Sequence, residues 1–168
     1  APDEAARGLR GERYQVVVHV DAARNTVDWA RRNAELSGLA DAPIRWIVED
    51  ALRFVRRECK RGNAYDAVIL DPPSFGRGPK RETWKLERDL PELLQRCGEL
   101  TRGAARFVLL SCHTPGYEES KLRAALTDVC LGAMHEPIEA GPMSLIDARG
   151  RALVCGYSAR FAAGQCGY

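Results

Sequence analysis

The side chains best placed to do chemistry in this sequence stand where short apolar runs stop. The stretch Tyr65-Asp-Ala-Val-Ile-Leu-Asp-Pro-Pro-Ser-Phe75 is the clearest case. Its run Ala67–Leu70 reads as a strand buried on both faces of a parallel sheet. Pairing must stop after it, because Pro72 and Pro73 fix φ and offer no backbone N–H. Asp71 is thereby set at the carboxyl end of a central strand, where open α/β sheets bind ligands. A carboxylate there accepts hydrogen bonds, and Phe75, on a proline-stiffened loop, offers a flat face for stacking. Taken alone, the same residues also read as a strand with a stiff turn. Asp21 closes a second run over 14–20, in which Val16, Val17, Val18 and Val20 are β-branched. Asp50 follows a third run, Ile44–Val48, and Cys112 a fourth, over 106–110.

Helices must carry the chain from each strand end to the start of the next strand. Val27, Ala30 and Ala34 recur at helical spacing over 25–37, and Gly38 is a natural stop. Over 52–59, Leu52, Val55 and Cys59 share one face, ringed by Arg53, Arg56, Arg57 and Lys60. A third helix, 86–101, turns Leu90, Leu93, Leu94 and Cys97 inward; Pro91 suits a first turn, which places the helix proper from about Asp89. A fourth, 118–130, runs through Leu122, Ala125, Leu126 and Val129. The segments 134–139 and 152–161 read as two last strands, an antiparallel pair separated by Gly141-Pro142 and Arg149-Gly150. Strands alternating with helices predict an α/β fold. Its sheet should be mostly parallel with an antiparallel C-terminal strand, and helices should lie on both faces. Asp21, Asp50, Asp71 and Cys112 then line one edge of that sheet. Residues 1–13 read as a frayed remnant, 14–161 as one domain and 162–168 as a tail.

Composition narrows the classes. A chain of 168 residues suits one core, and a net charge of +2 is too small to argue for nucleic acid by itself. The six cysteines are scattered, with no Cys-x-x-Cys and no zinc-like His spacing, so no metal site is expected. Reduced thiols fit a cytoplasmic protein. No run is long and apolar enough to span a bilayer, and no signal-peptide pattern opens the chain, so no membrane partner is expected. One local charge cluster stands out: the loop 76–85 carries Arg77, Lys80, Arg81 and Lys85 around Trp84. Cations for phosphates and rings for unstacked bases are what an RNA-facing loop needs. The same pattern also fits a solvated loop with Trp84 packed against the domain.

An acid, two prolines and an aromatic at a strand end resemble motif IV of the class I S-adenosylmethionine-dependent methyltransferases. The Asp71-Pro72-Pro73-Ser74-Phe75 spelling looks most like the bacterial 23S rRNA large-subunit methyltransferases, among them the 5-methylcytosine enzymes. The helix stretch Trp29-Ala-Arg-Arg-Asn-Ala-Glu-Leu-Ser-Gly-Leu39 is similar to the one that follows the ribose acid in that family. The resemblance implies an enzyme that methylates RNA, rRNA in particular, with S-adenosylmethionine as cofactor. It implies that Asp21 takes the ribose hydroxyls, that Asp50 and the Ala51 amide take the adenine, and that Asp71 faces cofactor and base. Pro72, Pro73, Phe75, Arg77, Lys80 and Lys85 then form the substrate side. In the 5-methylcytosine enzymes a cysteine at the position of Cys112 adds to C6 of the ring, which makes C5 nucleophilic enough to take the methyl group. A buried structural cysteine is the other reading of Cys112, and related members without that cysteine modify other atoms. His113, its neighbour in sequence, points to the opposite face of the strand and is not assigned as its base.

The resemblance does not extend to the strand and glycine-rich turn that open such a domain, since Gly8 and Gly11 lack a preceding apolar strand. The expectation is a catalytic domain incomplete at its N-terminus, or one that has lost the cradle for the methionine part of the cofactor. A non-catalytic Rossmann-like remnant binding RNA or a protein is the reading from a different class. A nicotinamide-dependent oxidoreductase using Asp21 gives no reason for the Asp-Pro-Pro-Ser-Phe stretch and lacks its glycine fingerprint.

Overall fold

A computed structural model describes residues 16–77, 83–103, 105–129 and 137–163. The chain separates into two compact units, Ala1–Asp50 and Ala51–Tyr168. No helix among the described residues is long and apolar enough to cross a membrane.

The first unit is a strand–helix–strand turn of chain: β1 (Val17–Asp21), α1 (Arg24–Leu36) and β2 (Ile44–Val48). The strands pair in parallel, from Val17 opposite Ile44 to Asp21 opposite Val48. Val27 is the buried anchor of α1. The helix closes where expected: Gly38 takes a φ of 72°, and the Gly38 and Leu39 amides fold back on the Glu35 and Ala34 carbonyls.

The second unit holds α2 (Ala51–Lys60), β3 (Ala67–Leu70), a small antiparallel hairpin of β4 (Phe75–Arg77) and β5 (Thr83–Lys85), then α3 (Leu86–Leu100), β6 (Phe107–Cys112), α4 (Glu119–Val129), β7 (Glu139–Ile146) and β8 (Ala152–Ala162). Four of these strands form one sheet in the order β3-β6-β8-β7. β3 and β6 are parallel, whereas β8 runs against both β6 and β7. Three strands therefore share a direction and the last one alone is reversed. One face of this sheet meets α3 and α4 in a core of Leu86, Leu90, Leu94, Val108, Leu110, Leu122, Leu126 and Phe161 among others. α2 is tied to α3 by Arg56, which reaches Glu92 at 2.5 Å, and by the Cys59 thiol, which donates to the Arg96 carbonyl at 3.5 Å.

The run into β3 is fixed by a buried carboxylate. Glu58, at the end of α2, accepts hydrogen bonds from Asn63 Nδ2 (2.7 Å), Tyr65 Oη (3.0 Å) and Arg61 (3.2 Å). Burial pushes its pKa up, but the donors from Asn63, Tyr65 and Arg61 together outweigh burial and hold it below its ordinary value.

Several elements differ from expectation. β3 is buried on one face only: Val68 and Leu70 pack against the core, while Ile69 is 70 % exposed. Among the described strands β3 pairs with β6. α3 starts at Leu86, ahead of Asp89, because Asp89 itself accepts the Lys85 amide and caps the turn at 2.7 Å. Gly76-Arg77 and Thr83–Lys85 lie in two short antiparallel strands where a plain loop was expected. β6 runs two residues further than the apolar run, carried by pairing with β8. β7 begins at Glu139 and absorbs Gly141-Pro142 instead of turning there. It is the outer strand of the sheet, where a proline is tolerated. Most of 134–139 lies outside the described residues.

Candidate active site

β3 and β6 end side by side. Their register places Leu70 opposite Leu110, so the next residues, Asp71 and Ser111, meet beyond it. Ser111 Oγ donates to Asp71 Oδ1 at 2.6 Å. His113 stands on the same side: its Nε2 lies 3.8 Å from Asp71 Oδ1, and its Nδ1 is 2.6 Å from the Cys155 carbonyl oxygen on β8. A carbonyl can only accept, so Nδ1 carries the proton and, in the neutral ring, Nε2 carries the lone pair. Asp71 and His113 have side-chain exposures of 65 % and 56 %, which keeps both open to a ligand and their mutual attraction screened.

The Asp71-Pro72-Pro73-Ser74 loop is held from several directions. Trp84 Nε1 donates to the Pro73 carbonyl at 2.7 Å. The Leu86 amide donates to the Ser74 carbonyl at 3.1 Å. The Ser74 and Thr114 hydroxyls share a hydrogen bond of 2.6 Å, which joins this loop to the one after β6. Trp84 thus packs against the domain and braces the loop. Pro72 is buried, and Phe75 is 52 % exposed at the start of β4, opposite Lys85. Arg77 and Lys85 are exposed on the hairpin; Lys80 and Arg81 lie outside the described residues.

Cys112 is not brought to this cluster. Burial along β6 alternates, so Val108, Leu110 and Cys112 face the helices while Ser111 faces Asp71. The Cys112 side chain is 1 % exposed in the apolar core beside residues such as Tyr117 and Leu122. Ser111 and His113, which bracket it, have no role assigned by sequence. The signal was present in the alternation of Ser111-Cys112-His113, but only the register with β3 shows which parity faces the acid.

In the first unit, Asp21 is the last residue of β1 and half-buried, and its Oδ1 accepts the Ala23 amide at 2.6 Å. This bond shapes the turn into α1; the second carboxylate oxygen has no partner among the described residues. Asp50 follows β2, half-buried, and Ala51 opens α2.

The strand order of the larger sheet, with its one reversed strand and an acid at the end of β3, is the class I S-adenosylmethionine-dependent methyltransferase architecture. A solved structure of a SAM-dependent methyltransferase from Agrobacterium tumefaciens matches it with a TM-score of 0.80 and 33% sequence identity, over 88% of this chain and 49% of that one. No protein-family model matches the chain. Among curated proteins, it is 39% identical over 59 residues to ribosomal RNA large subunit methyltransferase I of Aeromonas hydrophila, covering 35% of this chain and 15% of that protein. It is 34% identical over 87 residues to ribosomal RNA large subunit methyltransferase K/L of Pseudoalteromonas atlantica, covering 51% of this chain and 12% of that protein. The chain has the fold of these methyltransferases and spans a small part of the length of the curated relatives it matches.

Proposed function

We propose that this chain is part of an S-adenosylmethionine-dependent methyltransferase that acts on RNA, ribosomal RNA in particular, in the cytoplasm. The observation that carries this reading is the braced Asp71-Pro72-Pro73-Ser74-Phe75 loop, with an open carboxylate at the end of β3 and an exposed ring at the start of β4. Phe75 is suited to stack on a base, and Arg77 and Lys85, with Lys80, to meet phosphates. Toward the cofactor, the fit is chemical. The second carboxylate oxygen of Asp21 suits a ribose hydroxyl, and Asp50 with the Ala51 amide suits the adenine edge. When bound, the cofactor supplies the methyl group as an electrophilic sulfonium substituent; Asp71 positions the accepting base.

Transfer to cytosine C5 would need the Cys112 sulfur at C6 of the base. With that thiol 1 % exposed on the helix side of β6, the geometry favours a target atom that needs no covalent addition. The test is transfer of labelled methyl from S-adenosylmethionine to rRNA, with wild-type chain and with Cys112→Ala. Transfer by the alanine variant, and no covalent complex with RNA carrying 5-fluorocytosine, is expected. Abolished transfer with intact cofactor binding would restore the thiol mechanism. RNA binding without any cofactor binding would mark the chain as a binding module and overturn the reading.

A further inference from the structure

We propose that His113 is a catalytic residue that takes the proton released when an exocyclic amino group of a nucleobase is methylated. The proposal rests on the methyltransferase reading and names its target group. Four observations lead to it. First, the Cys155 carbonyl fixes the tautomer, so the neutral ring turns a lone pair on Nε2 outward. Second, Nε2 and Asp71 Oδ1 stand 3.8 Å apart, two acceptors with no protein donor between them among the described residues except Ser111, which already serves Asp71. Such a pair is complementary to a group carrying two N–H bonds. Third, the ring position is built: a Cβ on Gly156 would lie 2.9 Å from His113 Nδ1, so β8 is bare at the place where the imidazole rests. Fourth, the thiol that a carbon target would require is buried on the other side of the strand.

The groups around the ring are few. Asp71 faces it from the end of β3; β8 presents the Cys155 carbonyl and Gly156, and β7 presents Met143 near Gly156. The Cys155 thiol is engaged with the Met143 carbonyl at 3.3 Å. An imidazolium formed here therefore meets one carboxylate and no second cation among these groups.

The step balances simply. The amino nitrogen lone pair forms the new N–CH3 bond as the C–S bond breaks, and its electron pair stays on sulfur, turning the sulfonium into a thioether. The N–H bond breaks and its proton passes to Nε2. Asp71 stabilises the imidazolium until the proton leaves to water. Ser111 is a positioning residue that holds the Asp71 oxygen in place.

The experiment uses the full chain. Nitrogen-15 NMR of the histidine rings should show the His113 neutral form protonated on Nδ1, a result that does not depend on activity. His113→Gln keeps a polar side chain of similar reach but cannot take the proton. It should lower kcat by roughly 10²–10⁴-fold, the usual range for a general base. Its cofactor affinity should be unchanged, and the acid-side fall of the wild-type pH–rate profile should be lost. The methylated nucleoside should carry its label on an exocyclic nitrogen. A variant within threefold of wild type, a surviving acid-side fall, or label on C5 or a ring nitrogen would each overturn the assignment while leaving the methyltransferase reading intact. A wild-type chain that methylates no RNA would remove that reading and this step with it; the tautomer result would still report whether the ring geometry is right.

Discussion

Replacing Gly156 by alanine tests the packing that sets the His113 ring. An added Cβ lies 2.6 Å from the Cys112 carbonyl oxygen and 2.9 Å from both His113 Nδ1 and Met143 Cε, whereas ordinary contact begins at 3.4 Å. Met143 can swing its terminal methyl aside. The Cys112 carbonyl cannot move freely, because the β6–β8 pairing runs up to it, through Ser111 with Ser158 and Cys112 with Tyr157. Overpacking of this kind costs about 1–3 kcal/mol, and a backbone obstacle argues for the upper half. Pushing the ring off the Cys155 carbonyl removes a hydrogen bond worth about 0.5–1.5 kcal/mol more. A total of about 3 kcal/mol corresponds to a fall in Tm of roughly 6–12 °C for a chain of this size. Thermal unfolding followed by circular dichroism gives the stability, and the His113 tautomer by NMR gives the local effect. The double variant Gly156→Ala with Met143→Ala should recover little, since the nearest obstacle is a backbone oxygen. A Gly156→Ala chain within 0.5 kcal/mol of wild type, with Nδ1 still protonated, would refute the reasoning.

Three further outcomes are expected. Because folding lowers the Glu58 pKa, its contribution to stability is fully present above the ordinary glutamate range and is lost as pH falls through the folded value. Glu58→Gln should cost roughly 1–3 kcal/mol near neutrality and flatten that acid-side loss, as read by urea titrations across pH. Burial pushes the Cys97 thiol up to about 12 and Cys112 is enclosed, so iodoacetamide at neutral pH should modify exposed Cys155 well before either, as peptide mapping would show. Asp21→Ala should weaken S-adenosylmethionine binding by roughly 1.5–3 kcal/mol in calorimetry. Unchanged affinity would leave Asp21 as the acceptor for the Ala23 amide alone.

The parts of the fold that are local in origin were legible in the sequence. Ile44–Val48 and Ala67–Leu70 have the bounds their apolar runs predict, and α1 ends where Gly38 can adopt a positive φ. Pairing between distant segments was not legible. β8 extends β6 to Cys112 and draws Pro142 into β7, and neither effect is visible from the residues concerned. The site follows the same division. The Asp-Pro-Pro-Ser-Phe stretch announces itself, because proline chemistry acts on its own neighbours. Ser111 and His113 become partners of Asp71 only through the β3–β6 register, and the His113 tautomer depends on a carbonyl 42 residues away. The burial of Cys112 likewise depends on α3 and α4 closing over one face of β6.

The alternation along β6 makes the reactivity of this strand end a matter of parity. The tripeptide Ser111-Cys112-His113 contains the means for two unlike reactions: a sulfur that adds to carbon, and a ring nitrogen that accepts a proton. Side chains repeat every second residue, so one set must be outside whenever the other is inside. A one-residue slip of β6 against β3 would turn the thiol toward Asp71 and send the hydroxyl and imidazole into the apolar core. A single insertion or deletion in the connection before β6 is thus the shortest route between the two chemistries, with no change in the residues that perform either one.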